Sequence, residues 1–162
     1  MKLLGSLLGM TIMFGASVAQ AEGTAISAKV IDTCLSSLDR ESDKRVCVGQ
    51  AARDCAQAGD LGACLNAEIA YWEARLNVGF GMALDRALGK DSDAESLELE
   101  PRDQAGALRT AQESWNTYRS ATCAFEQTLW ETGTATSPES QGCHLYLTAE
   151  QTFYLEAVAL IE

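Results

Sequence analysis

Apolar residues along this chain recur at steps of three and four and nowhere alternate for long, which is the spacing of helix faces and not of half-buried strands. The series Leu108, Ala111, Trp115, Tyr118, Thr122, Phe125 and Leu129 predicts a helix from about Arg102 to Glu131, with Pro101 suited to its first turn and Gly133 stopping it. A second stripe of Leu65, Ile69, Trp72, Leu76, Phe80, Leu84 and Leu88 predicts a helix over Ala63–Leu88. Gly79 and Gly81 weaken that helix, each by about 1 kcal/mol relative to alanine, and mark a kink or a close crossing. A terminal helix fits Leu145–Ile161 with Leu147, Tyr154, Val158 and Ile161 inward, and two shorter helices fit Ile26–Leu38 and Ser42–Cys55, the latter capped by Ser42.

Two stretches break the pattern. Gly89–Glu100 reads as an acidic connector carrying Asp91, Asp93, Glu95, Glu98 and Glu100, and Thr132–Gly142, rich in Gly, Thr, Ser and Pro, reads as a loop. The expected fold class is all-α, a small helical bundle of about three core helices with a short helical N-terminal extension.

The first residues change the compartment. Lys2 is followed by an apolar run from Leu3 to Val18 and then by Ala19-Gln20-Ala21, the order of a secretory signal, so residues 1–21 are expected to be cleaved and the mature chain to start at Glu22. No cysteine stands just after that site, so no lipid anchor is expected and the mature protein should be free of the membrane, in a periplasmic or secreted setting. Cleavage leaves 141 of the 162 residues, the size of one domain. Only Lys2 is charged in the removed segment, so the mature chain keeps 11 of the 12 Lys and Arg and all 23 Asp and Glu, a net charge of −12. Such a surface repels nucleic acid and anionic membranes and admits a cationic partner, besides keeping an exported protein dissolved.

All six cysteines, Cys34, Cys47, Cys55, Cys64, Cys123 and Cys143, lie in the mature part. Their even number and export to an oxidising compartment argue for three disulfides. If the three long helices run up, down, up, then Cys64, Cys123 and Cys143 meet at one end of the bundle, which leaves their pairing open.

One set of residues is more specific. Cys55, Cys64-Leu-Asn-Ala-Glu68, Trp72-Glu-Ala-Arg-Leu76-Asn77-Val-Gly-Phe80, the run Gln112-x-x-Trp115-x-x-Tyr118-Arg119-x-x-x-Cys123, and Cys143 with Thr148 together resemble the LprI-type lysozyme inhibitor family of exported bacterial proteins. The resemblance covers about Cys55 to the C-terminus, and Gln112, Trp115, Tyr118 and Arg119 look like the family's signature helix. Residues 22–54 look like an extension found in part of the family, packed with residues 55–162 as one unit. Because Cys34 and Cys47 come together in that extension, they are expected to bond to each other, leaving Cys55–Cys64 and Cys123–Cys143. The chain departs from the family's usual tyrosine at Phe80 and usual arginine at Gln151.

Read physically, Trp115 and Tyr118 fall on the apolar stripe and are expected in the core, with Gln112 and Arg119 beside them. Arg119 is expected to pair across the bundle with Glu68 or Glu73. Little supports an enzyme. The single histidine, His144, is expected to cap a turn or face solvent, oxidised cysteines remove a thiol nucleophile, and no G-x-S-x-G, H-E-x-x-H or P-loop is present. Asp91-Ser-Asp93-Ala-Glu95 lacks the glycine turn and terminal glutamate of a calcium loop, so neither metal nor cofactor is expected. The resemblance implies a binding protein whose partner is lysozyme or another basic cell-wall hydrolase. The alternative is a non-enzymatic envelope interaction protein with a different partner, of undetermined oligomeric state. Candidate partner-binding residues are the five connector acids together with Thr134, Ser137 and Glu139 of the loop.

Overall fold

The structure is a computed structural model that describes residues 25–38, 41–100, 102–129 and 137–161. The expected signal segment and cleavage site lie outside the described residues, as do residues 130–136 of the predicted loop. Among the described residues the chain is entirely helical: α1 (Ala28–Ser36), a 3₁₀ helix (Glu41–Cys47), α2 (Gln50–Ala56), α3 (Leu61–Ser96), α4 (Gln104–Gln127) and α5 (Pro138–Leu160).

Each long helix starts at a residue able to hold free backbone N–H groups. Asp60 accepts from the Ala63 N–H at 2.8 Å to open α3, and Ser137 accepts from Ser140 at 3.3 Å to open α5, with Pro138 in its first turn. α4 is held twice. Asp103 accepts from Gly106 at 3.1 Å, and Asp91, still on α3, accepts from Gln104 and Ala105 at 2.8 and 2.9 Å.

That last contact explains the largest difference from the predicted elements. Gly89–Glu100 is not a linker: α3 runs on to Ser96, because Asp91 must be presented on a helix to reach the next helix's N-terminus. The turn proper is short, and Glu98 and Asp103 both take left-handed conformations there, at φ 54° and 45°. The predicted Ser42–Cys55 helix is likewise split. A 3₁₀ turn ends at Cys47, and Gly49, at φ 80°, starts α2. The loop expected over Thr132–Gly142 is shorter than read, since Pro138 already belongs to α5.

The core lies between α3 and α5 and under the N-terminal helices. Trp72 is fully buried and meets Phe153 and Tyr71 edge to face, each with ring centroids 5.3 Å apart. Leu65, Leu76, Leu145, Leu155 and Ile31 complete it. Along the C-terminal half of α3 the buried residues are the small Gly79, Ala83 and Ala87, and α5 lies close at the first of them, where a Cβ would stand 3.5 Å from Leu155 Cβ. Gly79 thus marks a close crossing, and Gly81 faces open space.

Two phase assignments need correction. On α5, Leu145, Ala149, Phe153 and Leu155 are buried while Tyr154 and Ile161 are exposed, and Leu147 is only half-buried. The buried face includes Thr148 and Thr152, whose polarity hid it: the Thr152 hydroxyl donates to the Thr148 carbonyl at 2.8 Å, with the Trp72 carbonyl at 3.3 Å. On α4, Trp115 is half-buried and Tyr118 is 56% exposed, so neither is a core residue; Trp72 holds that place.

The three disulfides are Cys34–Cys47, Cys55–Cys64 and Cys123–Cys143. The first closes α1 onto the 3₁₀ helix, the second joins α2 to α3, and the third ties the end of α4 to the start of α5. Glu68 completes the attachment of α2. Its carboxylate, fully buried, accepts from the N–H groups of Gly49 and Ala52 at 2.7 Å each and from Trp72 Nε1 at 3.2 Å, so every contact it makes compensates its desolvation. Arg45 to Glu150, Arg75 to Glu156 and the Tyr71 hydroxyl to Asp32 pin the same region from outside.

Candidate functional site

Two features stand outside this packing, one at the corner between α3 and α4 and one in the groove between the same helices. At the corner, Asp91, Glu95, Glu98 and Asp103 surround a cleft of about 640 Å³ whose walls include the exposed Leu88 and Leu99. Asp93 and Glu100, predicted with them, do not line it. Asp91 is engaged by the α4 backbone, so the carboxylates left to face a partner here are Glu95 and Glu98, with Arg102 alongside. Ser137 is spent as the α5 cap and Glu139 sits in the first turn of α5, while Thr134 lies outside the described residues.

The groove gathers most of the signature residues. From α4 come Gln112, Trp115, Asn116 and Arg119; from α3 come Glu73, Asn77 and the half-buried Phe80, around a volume of about 320 Å³. Helical spacing makes this a designed face on both sides, since positions 73, 77 and 80 and positions 112, 116 and 119 each follow the three-and-four step. Tyr118 is turned away from it. Arg119 is the centre: Nη1 donates to Glu73 Oε1 at 3.2 Å and to Thr148 Oγ1 at 2.8 Å, and its guanidinium lies 4.8 Å from the Trp115 ring centroid. Of the two expected acidic partners it takes Glu73, because Glu68 is committed to α2. Arg119 Nε is buried with no acceptor among the described residues.

Gln112 Oε1 accepts from Gln151 Nε2 at 2.9 Å, so the amide at position 151 ties α5 to α4 without adding a charge. His144, expected at a turn or in solvent, is half-buried near Arg119 and Glu73. Burial lowers its pKa and the Arg119 charge lowers it further, with Glu73 opposing. The sequence pattern did not single out Asn77 and Asn116 as site residues; only the facing of the two helices does. Among the described residues there is no group of three or more His, Cys, Asp or Glu placed to hold a metal ion, and no helix is long and apolar enough to cross a membrane.

Fold and site define a disulfide-stapled, all-helical domain whose three long helices carry an acidic corner and a polar, Trp-lined groove. The family model described as lysozyme inhibitor LprI matches residues 47–155, and the chain belongs to that family. The match begins at Cys47 and so takes in α2 as well as the three long helices. The chain is also similar to a Rhodobacter capsulatus protein described as an uncharacterized 17.7 kDa protein in the puhA 5′ region, 28% identical over 152 residues that span 83% of this chain and 88% of that one. No solved structure matches it. Three disulfides fit an oxidising, extracytoplasmic setting.

Proposed function

We propose that the protein is a non-enzymatic periplasmic or secreted inhibitor of lysozyme or a related basic cell-wall hydrolase. The observation that carries this reading is membership of an inhibitor family over residues 47–155. Charge supports it: a net −11 for the whole chain attracts a cationic enzyme and raises the rate of encounter, most of all at the corner where Glu95 and Glu98 flank apolar Leu88 and Leu99. Charge alone gives weak, salt-screened attachment. Specific inhibition needs an element that enters the enzyme's cleft, and the connection between α4 and α5, which contains Thr134 and is held at its base by Cys123–Cys143, supplies it at low ordering cost.

The test is inhibition of basic lysozymes of several structural types by the mature protein at low and high salt. Inhibition is expected, with Glu95→Gln and Glu98→Gln slowing association and flattening its salt dependence. Shortening the α4–α5 connection should abolish inhibition while leaving the melting temperature near the parent's. No inhibition by the parent at stoichiometric excess would discard the reading in favour of an envelope protein with a different partner.

A further inference from the structure

We propose that the groove between α3 and α4 is a binding site for a neutral, N-acetylated oligosaccharide. Its chemistry is unlike that of the acidic corner. The charges that line it, Glu73 and Arg119, are paired at 3.2 Å, so the groove offers no net charge to an anion or a cation. What it does offer is an aromatic ring with planar polar groups around it: Trp115, half-buried with the Arg119 guanidinium over it at 4.8 Å from the ring centroid, and Asn77 and Asn116, one from each helix.

A sugar ring is amphipathic in the same sense. Its C–H face lies on an aromatic ring, and its hydroxyls both donate and accept, which side-chain amides and carboxylates satisfy two at a time. An acetamido group adds an amide, complementary to the donor and acceptor of an asparagine, and a methyl group, which the apolar lining residues Leu76 and Phe80 receive. Neither Asn77 nor Asn116 makes a side-chain hydrogen bond among the described residues, so both amides are free to pair with a ligand. Arg119 Nε, buried and without an acceptor among the described residues, leaves a donor on a lining side chain that a ligand oxygen satisfies once the side chain shifts to meet it. The volume, about 320 Å³, stands at the low end of small-molecule sites, enough for about one or two sugar rings. An open site of that size predicts a Kd of about 0.1–10 mM.

Titration of the intact mature protein with tri-N-acetylchitotriose, followed by NMR, tests this with no lysozyme present, so its outcome is independent of the inhibitor reading. The Trp115 indole N–H and the backbone amides near Asn77 and Asn116 should shift together. Asn77→Ala and Asn116→Ala, both at exposed positions, should each weaken binding about three- to tenfold without lowering the melting temperature. Maltotriose, which lacks acetamido groups, and the cationic deacetylated trimer should bind at least about tenfold more weakly. The proposal is overturned by absence of shifts at about 10 mM ligand, by shifts confined to another face, by full binding in both asparagine variants, or by equal binding of maltotriose.

Discussion

α4 and α5 are nearly equal in length, 24 and 23 residues, yet α5 buries Leu145, Ala149, Phe153 and Leu155 against α3 while α4 buries only Ala105, Gln112 and Cys123. Tyr118 and Phe125 on α4, and Leu129 just past its end, are each more than half exposed. α5 is therefore held by continuous apolar burial and α4 by a few point attachments: the Asp91 and Asp103 caps at its start, Arg119 and Gln112 in its middle, and Cys123–Cys143 at its end. A helix fixed at points keeps its faces available: the groove lies along α4, the acidic corner lies at the end of α3 and in the turn that leads into α4, and neither involves α5.

The sharpest way to break this comparison is to truncate one tryptophan on each side of it. Trp72→Ala opens a cavity in the α3–α5 core and strands the Glu68 carboxylate's third donor contact, and should cost about 3–5 kcal/mol. Trp115→Ala removes a half-buried ring and should cost only about 1–2 kcal/mol. Thermal unfolding of the two variants side by side measures the difference, and equal losses would mean that α4 is as much a core helix as α5.

Removing the covalent attachment is next in size. Replacing Cys123 and Cys143 by serine releases a closure of sequence separation 20 and should lower stability by about 2–4 kcal/mol. The distribution matters more than the total. Hydrogen exchange should quicken in the C-terminal half of α4 and in the first turn of α5, and stay slow around Trp72 and Leu155. Uniform acceleration would show that α4 and the core open as one unit.

A smaller effect probes the open face of α3. Gly81 has nothing within 4 Å of the position a Cβ would take, so Gly81→Ala should stabilise α3 by about 0.5–1 kcal/mol, read as a raised melting temperature. A loss instead would mean that the helix bends at this residue in solution.

How much of this was legible beforehand follows the same division. The α3 stripe around Leu65, Trp72 and Leu76 is visible because large apolar residues repeat on one face, while the three disulfides have the pairing that the family resemblance implied, with Cys34 and Cys47 together in the extension, and that geometry alone left open. The continuation of α3 past Leu88 was hidden because Asp91 and its neighbours read as linker composition, although Asp91 is there to cap α4 across the turn. The α5 face was misphased because Thr148 and Thr152 are polar letters whose hydroxyls are satisfied inside the core. Trp115 and Tyr118 misled for the opposite reason: periodicity finds an apolar stripe but not whether a neighbour covers it, and α4 lies at the edge of the bundle. The groove was half legible, since Gln112, Trp115 and Arg119 stood out and Asn77 fell within a run that carries the resemblance, while nothing assigned Asn77 or Asn116 to a site before the two helices were seen side by side.

The smallest predicted effect concerns pH at the seam between the two helices being compared. His144 stands on α5 near Arg119 of α4 and Glu73 of α3, and burial together with the Arg119 charge lowers its pKa below the ordinary value of 6.5. Between that value and the lower folded one, the unfolded chain binds the proton that the folded chain declines, so stability is full above about pH 6.5 and falls as pH drops through the folded pKa. Protonation would set an imidazolium beside Arg119, and the contact most exposed to that repulsion is the Arg119 bond to Glu73 that holds the middle of α4. His144→Gln should therefore flatten the stability profile below about pH 6.5, while leaving it unchanged near pH 8. Measuring unfolding midpoints for parent and variant across that range isolates the histidine from the carboxylates, which both proteins share. If the two profiles run parallel, His144 titrates without sensing α4, and Arg119 then holds the groove independently of the α5 seam.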